Sequence, residues 1–308
     1  IYGAKLKYIP LRANGIQSIP YDIWSILSAL KSADVLLILG VGGCIVLPFL
    51  KLFGCRKKLI VNIDGLEWRR SKWNPPVKSF LKFSERTAVR FCDHVIGDNK
   101  VISDYVEQEY HHSCSLIEYG ADHQEPQKIS AASLAAYPFL SHAYAFGVCR
   151  IEPENNVHLV LRAFADPSCS LPLVMVGNWS KGAYGQKLYE TYRGHGNIHL
   201  LDPVYDQKKL NELRSNCILY IHGHSCGGTN PSLIEAMHLG LPVAAFDVNF
   251  NQETTEYKAL YFASSEELLR IIGEKRVTEW RKIGDAMREI AGRRYTWKRI
   301  GQCYAELF

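Results

Sequence analysis

No Cys-x-x-Cys pair occurs among the nine cysteines, which are odd in number and scattered from Cys44 to Cys303. Neither a zinc site nor a disulfide framework is indicated, and reduced thiols in a cytoplasmic protein are the simplest account. Dense basic clusters with interleaved aromatics are also missing. The net charge of +5 is spread along the chain, which excludes nucleic acid as the natural partner and suits anionic substrates or an anionic membrane surface. The apolar run Val35–Leu50 falls short of the ~18–20 residues of a spanning helix and is broken by Gly40, Gly42, Gly43 and Pro48. It reads as a buried strand, a glycine turn and an apolar helix. No signal peptide, short repeat or low-complexity tract is visible in this sequence, which begins at Ile1 rather than Met.

What is present is alternation. Continuous Val/Ile/Leu runs such as Val35–Leu39 are the pattern of strands buried on both faces. Strands are expected at 5–10, 35–39, 58–63, 93–97 and 114–118, with helices near 20–32, 43–53, 75–91 and 99–109. A polar stretch at 121–142, with Pro126 and Pro138, reads as a linker. The alternation then restarts, with strands at 143–149, 172–177, 197–201, 217–222, 242–246 and 259–262. Helices near 156–165, 185–193, 206–214 and 231–239 separate them, and 264–273 and 277–291 follow. Strand–helix alternation implies right-handed crossovers and parallel sheets. The fold class expected is α/β, two Rossmann-like doubly wound domains facing across a cleft, at 1–135 and 136–295. A terminal helix, 296–308, packs back on the first domain.

The most informative stretch is Tyr220–Val243. A strand ends near His222, a loop with Gly227 and Gly228 lets backbone approach a ligand, Asn230 is a natural N-cap, and Pro231 opens a helix. Free N–H groups at that helix start suit a diphosphate. Glu235 follows one turn later, where its carboxylate can accept from a sugar diol. The bland alternative is a solvated helix residue, but Leu233, Ile234, Ala236 and Met237 are apolar, and an unpaired carboxylate among them would be costly. His222 and His224, at i and i+2, do not have a convincing zinc spacing.

The segment "GGTNPSLIEAMHLGLPVAAFD" resembles the C-terminal signature of retaining GT-B glycosyltransferases of family 4. In that signature the second Glu of a Glu-x7-Glu motif binds the nucleotide ribose, which matches Glu235. The first Glu falls on Gly227, so amides near Gly228 and Thr229 would take over part of its contact with the donor sugar. The segment 146–156 resembles the family's Gly-Arg-x4-Lys element, which neutralises the donor diphosphate. Arg150 matches the Arg, and Asn155 stands at the Lys position. The resemblance thus implies a diphosphate site of Arg150, Asn155, Gly228, Thr229 and Asn230, with base contacts near Asn178, Val204 and Tyr205. Together with "DGLEWRRSKW", "GDNKVISDY", "IEYGAD", "NQETTEYKALYF" and "YTWKRIGQCYAELF", these motifs look like bacterial capsule and cell-wall rhamnosyltransferases over nearly the whole chain.

That resemblance implies a retaining front-face transfer of L-rhamnose from dTDP-β-L-rhamnose, without metal or other cofactor; Asp-x-Asp does not occur. The acceptor would be a saccharide, free or polyprenyl-diphosphate-linked. Asp64 and Glu67, at a strand end where relatives often carry a His, are the candidates for acceptor and donor-sugar contact. Their alternative is a surface salt-bridge cluster. Apolar helix 44–53 with Lys51, Arg56–Lys58 and the basic, Trp-rich stretch 68–73 could rest on the inner face of the plasma membrane, or the helix could be core. Family members carry a strand, a Gly-rich loop and a helix before the point equivalent to Ile1. The rival readings are a non-catalytic nucleotide-sugar-binding protein and another GT-B enzyme such as a sugar-nucleotide epimerase.

Overall fold

A computed structural model describes residues 5–13, 15–70, 73–274 and 277–308. The chain divides into two units, 1–117 with 304–308 and 118–303.

The first unit carries α1 (Ser18–Ala29), β1 (Val35–Leu39), α2 (Leu47–Leu52), β2 (Lys58–Asn62), α3 (Pro75–Phe91), β3 (His94–Gly97), α4 (Lys100–Tyr110) and β4 (Ser115–Leu116). Its strands form one parallel sheet in the order β1-β2-β3-β4. Leu59, Ile60, Val61 and Ile96 are fully buried, as the continuous apolar runs require. Asn74 and Asn99 cap α3 and α4 through their side-chain oxygens, which accept from Val77 N and Val101 N.

Two expectations change here. Residues 5–10 form no strand: Lys5 and Lys7 alternate with Leu6 and Tyr8 in a strand-like pattern, but none of the described strands pairs with them, and Leu6 and Tyr8 are exposed. The apolar helix is a 3-10 turn (Cys44–Val46) followed by the short α2, because Pro48 fixes its first turn. Leu47 is buried, whereas Phe49, Leu52 and Phe53 face solvent, so one end of this helix is core and the other is not. Ser71 and Lys72 of the basic, Trp-rich stretch lie outside the described residues. Among the described residues no helix is long and apolar enough to cross a membrane.

The second unit carries α5 (Ala131–Ala136), β5 (Ala145–Val148), α6 (Val157–Phe164), β6 (Leu173–Val176), α7 (Ala183–Tyr192), β7 (Ile198–Leu201), α8 (Gln207–Ser215), β8 (Leu219–His222), α9 (Pro231–His238), β9 (Val243–Phe246), α10 (Asn249–Thr254), β10 (Leu260–Phe262), α11 (Ser265–Glu274), α12 (Val277–Arg294) and α13 (Trp297–Leu307). Tyr304–Phe308, the last turn of α13 and the residue after it, group with the first unit. All six strands are parallel, in the order β10-β9-β8-β5-β6-β7. One face packs Phe146, Tyr220, Leu233, Ile234, Met287 and Ile290; the other packs Phe164, Leu173, Leu219, Phe262 and Leu268.

The stretch 121–142 is not a free linker but part of this unit. Ser130 donates from N and Oγ to Glu212 Oε2 (3.1 and 2.9 Å), Asn216 Nδ2 donates to Gln127 O (2.8 Å), and Leu140 is buried. The unit therefore begins at Glu118 rather than near residue 136. Glu118 accepts from Arg294 Nη2 at 2.6 Å, and Asp122 Oδ1 accepts from Trp297 N at 2.8 Å. A Cβ on Gly120 would lie 2.6 Å from the Trp297 ring. "IEYGAD" and the terminal "YTW" are thus two halves of one packing motif.

Candidate functional site

Strand order alone marks a place for a ligand. From β5 the chain moves outward through β6 and β7, then returns to β8 on the other side of β5 and continues to β9 and β10. The loops leaving the carboxyl ends of β5 and β8 diverge there, and such a switch point is where doubly wound sheets open a crevice. Those loops, 149–156 and 223–230, are the two stretches the sequence singled out.

The two loops are laced together. Ser225 donates from N and Oγ to Glu154 O (2.9 and 2.8 Å), and Asn156 Nδ2 donates to Gly223 O (3.0 Å). Asn251 of α10 holds the far side, its Nδ2 donating to His224 O at 2.9 Å. Asn230 caps α9, its Oδ1 accepting from Ser232 N (3.0 Å) and Ser232 Oγ (2.8 Å). Gly228 and Thr229 lie in the turn entering that helix, with Thr229 buried. Gly227 has φ of 122°, a conformation open to glycine but not to ordinary L residues. The backbone there, rather than lack of room, selects glycine, since nothing lies within 4 Å of an added Cβ.

Arg150 and Asn155 share the first loop but differ in placement. Arg150 is exposed, with its Nη1 3.6 Å from Glu152 Oε2. Asn155 is buried, and its Nδ2 donates to Arg150 O at 2.6 Å. It therefore fixes the backbone that carries Arg150, a different task from offering charge to a ligand.

Glu235 is neither solvated nor alone. Its Oε2 pairs with Arg214 Nη1, and its Oε1 accepts from Gln124 Nε2 at 3.0 Å. Arg214 is completely buried, and its Nη2 also donates to Gln124 Oε1 (3.1 Å) and Asn211 Oδ1 (2.8 Å). His123 Nε2 lies 3.8 Å from Glu235 Oε1, while His123 Nδ1 accepts from Trp297 Nε1 at 3.1 Å. Arg214, Gln124 and Asn211 were missed in the sequence. The only available signal was an Arg inside the buried face of α8, and Gln124 lay in what read as linker.

His222 is buried with Nε2 unpartnered among the described residues, and its ring stacks on His224 at 4.4 Å between centroids. Burial and the neighbouring His224 hold the imidazole well below its usual pKa, so it is neutral at physiological pH. No group of three or more His, Cys, Asp or Glu that could hold a metal occurs among the described residues. Asn178 and Tyr205 are exposed on the loops after β6 and β7, and Val204 is half-buried. Asn178 Oδ1 accepts from Ser180 Oγ at 2.9 Å. These three are on the β6–β7 side of the switch point, away from α9.

In the first unit, Glu67 belongs to a local cluster. Its Oε2 accepts from Arg70 Nη1 (2.9 Å) and its Oε1 from Trp73 Nε1 (3.0 Å), the salt-bridge arrangement the sequence allowed as the alternative. Asp64, exposed at φ of 60°, follows β2, its N–H donating to Asn62 Oδ1 at 2.9 Å.

Asp22 on α1 was not singled out in the sequence. It lines a groove of about 440 Å³ beside β1, and burial pushes its carboxyl up to about 6. A raised carboxyl pKa favours the protonated form in the fold. The penalty on stability is therefore absent below the unfolded value near 4 and complete above about pH 6. Asp22→Asn should stabilise the protein by about 1–2 kcal/mol near pH 7.5, after discounting for partial exposure, and by nothing near pH 4. Thermal midpoints at the two pH values check this; an equal gain at both would reject burial as the cause.

Similarity to known proteins agrees with this architecture. The chain is similar to a sucrose-phosphate synthase from Thermosynechococcus elongatus, with TM-score 0.77 and 17% identity over 99% of this chain and 82% of that one. It is similar to HepE of Anabaena in complex with UDP, with TM-score 0.71 and 18% identity over 93% and 81%. A glycosyltransferase from Rickettsia africae has TM-score 0.72 and 13% identity over 98% and 83%. The two α/β units have the GT-B fold. Residues 140–263 match the family of glycosyl transferases group 1, which with the fold supports a GT-B glycosyltransferase. Residues 11–122 match a domain of unknown function, DUF1972. No curated protein is similar enough to this chain to count as a match.

Proposed function

We propose that the chain transfers L-rhamnose from dTDP-β-L-rhamnose, with retention, to a saccharide or polyprenyl-diphosphate-linked saccharide. The observation that carries the nucleotide-sugar part is Glu235, set on α9 beside the switch point and held by buried Arg214. A carboxylate has about four acceptor positions. Gln124 and Arg214 take one on each oxygen, which leaves one on each for a sugar hydroxyl. A deoxyribose needs only one. Rhamnose as the sugar rests on the motif resemblance.

In the front-face reaction the bond from C1 to the β-phosphate oxygen breaks as the acceptor oxygen bonds C1 from the same side. The acceptor proton passes to a β-phosphate oxygen, so no dedicated base is required. The departing charge would be met by Arg150 and by amides at the start of α9. Retention would yield a β-rhamnoside. HepE, one similar structure, was solved with UDP, which supports a nucleotide at this site and makes UDP the natural competitor to test.

Calorimetric titration with dTDP, UDP and GDP tests the reading. We expect dTDP to bind most tightly and Glu235→Gln to weaken it about tenfold or more. Binding of UDP or GDP in preference to dTDP would reject the rhamnose donor, and indifference to Glu235→Gln would reject the site. Release of free dTDP from dTDP-rhamnose in the presence of acceptor separates a transferase from a protein that only binds its ligand. The absence of a carboxylate at Gly227 is what favours the latter.

A further inference from the structure

Two cations share one carboxylate at the carboxyl ends of β5 and β6. Arg150 Nη1 lies 3.6 Å from Glu152 Oε2, and Lys181 Nζ lies 3.7 Å from Glu152 Oε1. Neither is a hydrogen-bonding distance, and both cationic side chains are more than half exposed (54% and 63%). Elsewhere in this unit an Arg with a structural task is closed onto its partner, as Arg294 is on Glu118 at 2.6 Å. Here two positive charges face a single negative one, loosely, beside the loop that lines the switch point.

The fold brings Lys181 there. β6 is the neighbour of β5, and the turn Ser180–Gly182 reverses the chain into α7, with Gly182 at φ of 95° and its N–H donating to Ser180 O at 3.0 Å. Ile151 of the first loop packs against this second loop so closely that a Cβ on Gly177 would lie 2.3 Å from Ile151 Cδ1. Position 155, by contrast, cannot supply a cation. Asn155 is buried, its amide holds Arg150 O, and its own carbonyl oxygen would be 2.3 Å from a Cβ on Gly223. A lysine there would bury an ammonium and release the loop.

We propose that Lys181 is the second cation of the donor-diphosphate site, standing in space for the charge that Asn155 does not provide. Arg150 and Lys181 grip the diphosphate from the β5–β6 side. Glu152 holds both in readiness and gives them up to the phosphate oxygens. This rests on the donor-site reading above.

The test is calorimetry of the whole chain with dTDP and UDP, and with the monophosphates dTMP and UMP. Lys181→Met should weaken both diphosphates about tenfold and both monophosphates less than threefold, while Lys181→Arg retains most of the affinity. Lys187→Met, an exposed lysine on α7 with no ion pair among the described residues, should change affinity less than twofold and controls for net charge. Glu152→Gln should tighten diphosphate binding. The inference is overturned if Lys181→Met stays within twofold of the parent while Arg150→Met weakens dTDP, an outcome that leaves the donor site standing. Equal losses for diphosphates and monophosphates would also overturn it, as would weaker binding in Glu152→Gln. If the parent binds no nucleotide at all, the donor-site reading fails and takes this inference with it.

Discussion

Arg214→Met is expected to destabilise the second unit by about 3–5 kcal/mol, the cost of breaking a buried ion pair from one side. The guanidinium is completely buried and supplies donors to Glu235, Gln124 and Asn211. Methionine matches much of its volume and none of its donors. Asn211 Oδ1 then loses its partner and Glu235 Oε2 its cation, each at a cost of about 1–3 kcal/mol, while Gln124 Oε1 keeps the bond from Asn211 Nδ2. Urea unfolding of the parent, Arg214→Met, Glu235→Gln and the double variant measures this. The double variant should be more stable than the two separate losses imply, by a coupling of more than about 1 kcal/mol. Affinity for dTDP should also collapse in Arg214→Met, because the side chain that would hold the sugar hydroxyl has lost its orientation. A destabilisation under about 1 kcal/mol would show that water replaces the guanidinium and that the network is not a structural unit.

Gly223→Ala should abolish nucleotide binding more completely than loss of any single ligand-contacting side chain. An added Cβ would lie 2.3 Å from Asn155 O and 3.3 Å from Asn155 C. Both are backbone atoms, so no rotamer relieves the overlap. The loops after β5 and β8 must separate, breaking the bonds of Asn156 to Gly223 and of Ser225 to Glu154. We expect at least a hundredfold loss of dTDP affinity, with about 1–3 kcal/mol lost in stability. Gly194→Ala is the control, because an added Cβ there meets nothing within 4 Å. If Gly223→Ala binds dTDP within tenfold of the parent, the two loops do not form one site.

The sequence carried the parts of this structure that local physics dictates. Leu173–Val176 is apolar throughout because both faces are covered, and it is a strand. Val35–Leu39 is a strand too, but the expectation of burial on both faces fails there, since Leu36 and Ile38 are buried while Leu37 and Leu39 are exposed. Asn230 before Pro231 is a helix start whatever surrounds it, and the cap is made as read. Glu235 was legible for the opposite reason: a carboxylate among buried neighbours needs a partner. That partner was not legible. Arg214 and Gln124 stand 21 and 111 residues away in the sequence, and no periodicity joins them. Lys5–Tyr8 failed as a strand for the same kind of reason, since alternation describes one side of a pairing and says nothing about whether the other side exists. The polar stretch 121–142 misled because Ser130 is satisfied by Glu212, and Gln127 O by Asn216, rather than by water.

The pairing of β5 with β8 also governs how the second unit can be made. Synthesis is vectorial, and β5 (Ala145–Val148) emerges with only β6 and β7 to follow it at first. Its other edge stays open until Leu219–His222 has been released. Glu118, Gly120 and Asp122 wait longer still, for Arg294 and Trp297 near the end of the chain. Contacts spanning so much sequence close slowly, and the growing polypeptide displays an apolar strand edge meanwhile. This unit should thus lean on chaperones during translation, and a ribosome stalled before residue 294 would hold a product that no amount of waiting can finish.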